Sequence, residues 1–453
     1  MGSRWSVEQV LALAPDAASA TAGRKLARPA PWSGTGAADA PAAVWGECAG
    51  SGAKPYRAAV DLAGPAFSCT CPSRKFPCKH ALGLLLLWSS GGVPTAEAPD
   101  WVGSWLQARA DRTAKSARAA ATTPVTDPEA ARRRSQRRDE RMTDGLAELS
   151  QWLHDQVRTG LAGTERAGYG PFDALAARMV DAQLPGVASR IRRLPGVAAS
   201  GAGWHERLLA EYGLLHLLAR AGTAVLQGTT PDGLDADIVR THLGVPVPSA
   251  DVLAAPPVRD AWAVLAQQDV AEERLVVRRS WLLGDRTGRA ALVLSFAPAG
   301  GSLDATLLPG STLDADVHFH PGRPPLRALV GQRHGEPLAG VTATGIGVQE
   351  ALARWAGALA LDPWLSSWPV LLAGVVPVHG EHGWQLVEAA TGASLPVHGV
   401  DDGGWAMLAV SGGRPVQVLA EVSDRGARPV AVLPVPPQAE EPALPVRSRP
   451  VVL

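Results

Sequence analysis

The sequence predicts an α+β, multi-domain protein: a small N-terminal ββα module, a central helical region and a strand-rich C-terminal part. Three observations carry that reading. The chain has 453 residues, 46% of them hydrophobic, which at roughly 150 residues per domain is enough for two to four cores. The apolar pattern changes period along the chain, from short runs bounded by Gly and Pro, to three- and four-residue steps, and back to short runs. Three of the four cysteines also fall within ten residues, beside a histidine.

The first 30 residues read as weakly helical and broken by proline. From Val44 to Cys71 short runs with aromatic and β-branched residues alternate with Gly and Pro, which is hairpin punctuation. His80 to Trp88 is apolar on every side and predicts a short buried helix. Trp101–Arg109 predicts a further helical piece, and Ala110–Glu129, polar and aperiodic, a linker. Leu146, Leu149, Leu153, Val157 and Leu161 then mark an amphipathic helix, Phe172, Leu175 and Met179 a second behind Pro171, and Trp204–Ala221 a third. Further on, Leu275–Leu283 and Arg289–Phe296 flank a Gly-rich turn as a hairpin, and Gln349–Leu361 predicts a helix stopped near Pro363. Trp384–Ala389, Trp405–Val410 and Val416–Val422 predict short strands. The regions that result are 1–110 with a finger core at 44–90, a basic Ala/Arg-rich linker at 111–141, helices over 142–250, strands over 251–433 and a Pro-rich tail at 434–453.

Composition narrows the class. A mean hydropathy of +0.02 and the lack of an uncharged apolar run of about 18 residues argue against a membrane protein. No apolar stretch follows a basic start, so no secretory signal is expected, and four cysteines exclude a disulfide scaffold. A cytoplasmic setting is the expectation. The formal net charge is zero, but residues 1–142 carry +7 and the rest −7, an asymmetry that can steer an anionic partner to the front or pull the two parts together.

One constellation carries chemistry. Cys69-Thr70-Cys71 is followed by six residues and then Cys78-Lys79-His80. Zinc takes four soft or borderline donors in a tetrahedron, and three Cys with one His is an established structural set. Residues i and i+2 of an extended segment project to one face, so Cys69 and Cys71 can chelate together, and the loop between them and Cys78 turns the chain back. Incidental buried cysteines would not cluster three of four beside a His. A catalytic thiol is disfavoured because all four donors are consumed and no nearby carboxylate offers a base. One structural Zn2+ is therefore expected, with Arg74, Lys75 and Lys79 offsetting the thiolate charge.

The surrounding text, Tyr56-Arg57-Ala58-Ala59-Val60-Asp61-Leu62, Phe67-Ser68-Cys69-Thr70-Cys71-Pro72-Ser73 and Pro77-Cys78-Lys79-His80-Ala81-Leu82, resembles the SWIM zinc finger. The resemblance covers about residues 44–90. It implies a ββα zinc module with Cys69, Cys71, Cys78 and His80 as the four ligands. The whole chain resembles bacterial SWIM-containing proteins, which implies binding to DNA or protein.

The arginine run Arg132–Arg141 is interrupted by Asp139 and Glu140 and leads into a helix, so a solvated helical face is preferred to a phosphate contact. Arg74, Lys75 and Lys79, with Phe76, form a candidate partner-binding surface on the metal loop. Cys48 is read as a small buried hydrophobe, and His318, His320, His379 and His382 as structural. His205-Glu206 lacks the second His of a zinc-protease helix, since Leu209 stands there, and Gly345-Ile346-Gly347 lacks the third glycine of a dinucleotide loop. The function expected is a zinc-binding, non-enzymatic adaptor or regulatory protein that uses the finger to reach a protein partner. DNA or RNA binding through the finger and the basic N-terminal third is the alternative, and an enzyme with an unrecognised C-terminal site the remote one. No catalytic residue, membrane partner or small-molecule substrate is expected.

Overall fold

The structure is a computed structural model, and it describes residues 5, 7–14, 17–40, 42–50, 54–62, 66–73, 77–121, 128–164, 168–272, 275–298, 303, 306–399, 403–433 and 451–452. Two helices, α1 (Val7–Ala12) and α2 (Ala17–Leu26), precede an antiparallel meander of β1 (Trp32–Asp39), β2 (Ala42–Cys48), β3 (Tyr56–Asp61) and β4 (Ala66–Cys69). Alternation along the strands buries both faces. Val44, Ala58 and Val60 face α3 (Lys79–Ser89), while Ala43, Trp45 and Ala59 face Val102 of α4 (Asp100–Ala121). Helix α3 is apolar all round because α1 and α2 cover the side the sheet leaves open. Two glycines set that approach: a Cβ on Gly83 would stand 2.6 Å from Leu26 Cβ, and one on Gly23 would stand 2.8 Å from Leu82 Cβ. Strand β1 had no counterpart in the sequence reading, because Trp-Ser-Gly-Thr-Gly-Ala-Ala-Asp is poor in strand formers and owes its conformation to pairing with β2.

The segment read as a linker is helical for most of its described length. Helix α4 runs on to Ala121, residues 122–127 lie outside the described residues, and α5 spans Pro128–Thr159. Ala and Arg are strong helix formers, so the chain coils there without an apolar stripe to demand it. Only from Met142 does α5 enter a core. There it packs with α6 (Gly170–Asp181), α7 (Pro185–Ala198), α8 (Trp204–Leu226) and α9 (Ala236–Leu243), burying Leu146, Phe172, Ile191, Tyr212 and Leu215. A short helix, α10 (Ser249–Ala254), leads out of the bundle.

The strand-rich part holds two six-stranded sheets. In the first, β5 (Val258–Glu272), β6 (Leu275–Gly284), β7 (Ala290–Pro298), β8 (Ser311–Phe319) and β9 (Arg327–Arg333) close on themselves, since β9 pairs in parallel with β7 and antiparallel with β8. Strand β5 is long enough to pair with β8 through its first half and β6 through its second, shifting register between Val264 and Ala266. Trp262, Val264, Leu282, Leu313 and Val317 fill the barrel, and β10 (Leu338–Ala339) extends β8 at its edge. The second sheet has the order β13-β12-β11-β14-β15-β16, built from β11 (Trp368–Gly380), β12 (Gly383–Glu388), β13 (Ser394–Pro396), β14 (Val416–Ser423), β15 (Gly426–Leu433) and β16 (Val451–Val452). Its one face carries α11 (Val348–Leu361) and α12 (Gly403–Ser411); the other packs Leu371, Leu419 and Val430 on Leu265 and Trp281 of the barrel. Glu421, 6% exposed, joins the two sheets by binding Arg279 at 2.7 Å and Arg428 at 3.1 Å.

One prediction is overturned here. Trp405–Val410, read as a strand, lies inside helix α12. The stretch Trp-Ala-Met-Leu-Ala-Val has no polar alternation to separate the periods, and Ala, Met and Leu decide for helix. In the tail, Val451 and Val452 pair with β15, and residues 434–450 lie outside the described residues.

Candidate metal centre

The site is assembled where β4 ends. The backbone N–H of Arg57 donates to Thr70 Oγ1 at 3.0 Å and the Thr70 N–H donates to Arg57 O at 3.1 Å, so the Cys69-Thr70-Cys71 turn is pinned to β3. Arg57 is itself held by Glu47 at 3.0 Å. Cys78 follows as the extended residue that opens α3 (φ −73°, ψ 166°), and His80 is the second residue of that helix. Cys78 is 1% exposed and His80 5%; Cys69 and Cys71 are partly buried.

The donor atoms of Cys69, Cys71, Cys78 and His80 all lie within 4.8 Å of one another. His80 Nδ1 stands 3.8 Å from Cys69 Sγ and 4.0 Å from Cys78 Sγ. A tetrahedron with zinc bonds of about 2.0–2.3 Å has edges of about 3.6–3.8 Å, so the four residues fit one zinc ion with little contraction. No other group of three or more His, Cys, Asp or Glu side chains gathers this closely among the described residues.

Electrostatics point the same way. Hydrogen bonding from the Cys69 thiol, with help from His80 and the Ala81 backbone N–H against the cost of burial, holds the Cys78 thiol down at about 4. The same hydrogen bond, with burial, pushes Cys69 up, and burial pushes Cys71 up. One thiolate is thus favoured in the protein fold itself, and a divalent ion is what would favour the other two. Four protein donors close a tetrahedron and leave no position for a substrate water, which is the pattern of a structural site.

Of the residues expected to touch a partner, Lys79 is exposed on the first turn of α3, while Arg74 and Lys75 lie outside the described residues, as does Phe76. Cys48 is fully buried with its thiol pushed up by burial, and stays out of the cluster. Tyr56 was not foreseen. Its ring lies 5.0 Å from that of His80, because β3 begins beside the site, and no spacing rule links residues so far apart in sequence. A groove of about 640 Å³ opens next to the centre, bounded by Ala22 and Leu26 of α2, Tyr56, Pro72 and Lys79.

Of the other histidines, His318 Nδ1 lies 2.8 Å from Ala255 O, His379 stacks on Trp405 with 5.8 Å between rings, and the buried His320 Nε2 has no hydrogen-bond partner among the described residues. No helix among the described residues is long and apolar enough to cross a membrane.

Comparison with known families places this geometry. The SWIM zinc finger matches residues 60–88, and the SWIM-associated four-helix bundle domain matches residues 137–242. Neither match extends past residue 242. No curated protein and no solved structure matches the chain. This chain thus contains a SWIM zinc finger, in which Cys69, Cys71, Cys78 and His80 are positioned to bind one structural zinc ion, followed by the SWIM-associated bundle of α5 to α9, and in that sense is a SWIM domain-containing protein.

Proposed function

We propose that the chain is a non-enzymatic adaptor whose zinc finger docks a protein partner. The observation that carries this reading is the groove beside the metal centre. It is open, bounded by apolar α2 side chains, the Tyr56 ring and the Lys79 ammonium, and contiguous with the ligand loop at Pro72. Zinc in such a site acts by folding the module, since metal affinity at a closed structural site becomes folding free energy, on the order of 10 kcal/mol. An aromatic face, an apolar wall and a single cation suit a peptide segment better than a phosphate chain, which needs several cations in a row.

The test is affinity capture with the zinc-loaded chain from its own cells, beside Lys79→Glu and Cys78→Ser. A protein retained by the wild type and lost from both variants supports the reading. A second reading has its own observation: Arg132, Arg133, Arg134 and Arg137 are exposed on the half of α5 that precedes the bundle core. Fluorescence anisotropy against single- and double-stranded nucleic acids decides for it if tight, zinc-dependent binding survives physiological salt.

A further inference from the structure

Numbered from Val258, the strands of the closed barrel run 1-2-3-5-4-1, with the third and fifth parallel. That is the connectivity of OB-fold barrels, whose ligands lie on the face of strands two and three, beside the loop between strands four and five. In this chain the face belongs to β6 and β7 and the loop is 320–326, with Pro324 and Pro325 at its turn. A crevice of about 330 Å³ opens there, between those prolines, Trp281 and Leu283 of β6, and the Gly357 and Leu361 side of α11.

Connectivity alone names no ligand; the lining does. Two arginines, Arg289 and Arg354, are among the residues that line the crevice, no Asp or Glu is, and most of the rest are apolar. Arg354 is neutralised by Glu350 at 2.7 Å. Arg289 lies over the Phe319 ring, 4.4 Å from its centroid, and has no carboxylate partner among the described residues. A stacked guanidinium is pre-oriented for a planar anion such as a carboxylate. Gly357 adds a second sign. A glycine within a helix costs about 1 kcal/mol relative to Ala, and here a Cβ would meet nothing within 4 Å, so packing does not require it. Its effect is to keep the crevice wall low.

A nucleic-acid strand, a common guest of such barrels, is disfavoured. The outer face of β6 is covered at Trp281 by Leu371 and Leu419, and Arg279, the cation of that face, is bound to Glu421. Among the described residues of β6 and β7, both arginines, Arg278 and Arg279, are paired with carboxylates, which leaves no row of cations to follow a phosphate backbone. We propose that the crevice binds a small acid with an apolar body, its carboxylate at Arg289 and its body between Leu283 and Leu361.

The experiment is isothermal titration of the full-length, zinc-loaded chain with decanoate, decanol and a ten-nucleotide oligo-dT. The expected result is one saturable decanoate site per chain, with decanol at least tenfold weaker. Arg289→Gln weakens decanoate at least tenfold, and Gly357→Phe, which fills the crevice from an exposed helix position, abolishes binding while the melting temperature is kept. The proposal is overturned by the absence of a saturable decanoate site, by decanoate affinity that neither variant changes, by equal affinity for decanol, or by oligo-dT displacing decanoate from the site.

Discussion

Trp364 donates its indole N–H to the main-chain oxygen of Leu214 at 3.0 Å, across 150 residues of chain. The tryptophan is 2% exposed and lies in the core of the helical bundle, although it belongs to the segment that follows α11. Beside it the Asp362 carboxylate lies 2.9 Å from His242 Nε2 and accepts the main-chain N–H of Trp364 at 3.0 Å. Arg190 donates both to Trp364 O at 2.7 Å and, at 3.1 Å, to His242 Nδ1. A ring nitrogen that accepts from arginine carries no proton, so the network assigns His242 as the neutral Nε2–H tautomer.

Trp364→Ala should therefore destabilise the bundle by about 3–5 kcal/mol, the range for emptying a buried aromatic site. Urea denaturation followed by helical circular dichroism reads this. Trp364→Phe should lose much less, because the ring is largely kept and one hydrogen bond, about 1 kcal/mol, is given up. Equal losses in the two variants would show that packing is not the main contribution.

Cys78→Ser or His80→Ala should release zinc and open the N-terminal module to protease while the bundle stays folded. Bound metal measured on the purified protein and a limited-proteolysis time course check this. Full metal retention with unchanged protease resistance would refute the four-ligand site.

Tyr212 tests the reverse case. Its hydroxyl is buried without a hydrogen-bond partner among the described residues, and burial pushes its pKa up to about 12. Removing an unsatisfied polar group costs nothing in lost bonds, so Tyr212→Phe should leave stability unchanged or raise it by about 1 kcal/mol. A loss above that size would mean the hydroxyl has a partner.

Glu421→Ala should be costly, about 3 kcal/mol or more, because it leaves Arg279 and Arg428 facing each other in a half-buried site. A double-mutant cycle with Arg279→Met should recover part of the loss; strict additivity would place the effect elsewhere.

Burial, reinforced by the charge of Arg327, holds the His320 pKa down at about 4 against an ordinary 6.5. The neutral ring is favoured in the folded state, so the unfolded chain binds the proton first. This contribution is fully present above pH 6.5 and is progressively lost as pH falls through 6.5 towards 4. Melting temperatures of wild type and His320→Asn between pH 7 and 5 should diverge, with the wild type falling faster. Parallel curves would remove His320 from the pH response.

The metal centre was legible because chelation writes itself into local spacing: Cys69, Cys71, Cys78 and His80 lie within twelve positions. Helices such as α6, α8 and α11 were legible from their apolar steps. Barrel closure was not, since the parallel pairing of Leu292 with Arg327 and the shared use of β5 depend on partners chosen in three dimensions. Tyr56 against His80 and Trp364 in the bundle escaped for the same reason. Helix α12 was misread because an unbroken apolar run has no period to measure.

The match to the bundle family stops at His242, and His242 is the residue that Asp362 clasps from 120 positions further on. The recognisable module and the unit that folds therefore have different edges. A fragment cut after α10 would present an indole-sized vacancy and an unclasped imidazole at its own centre. Dissecting the chain into working pieces thus calls for keeping α11 and its tryptophan with the bundle, even where sequence resemblance has already ended.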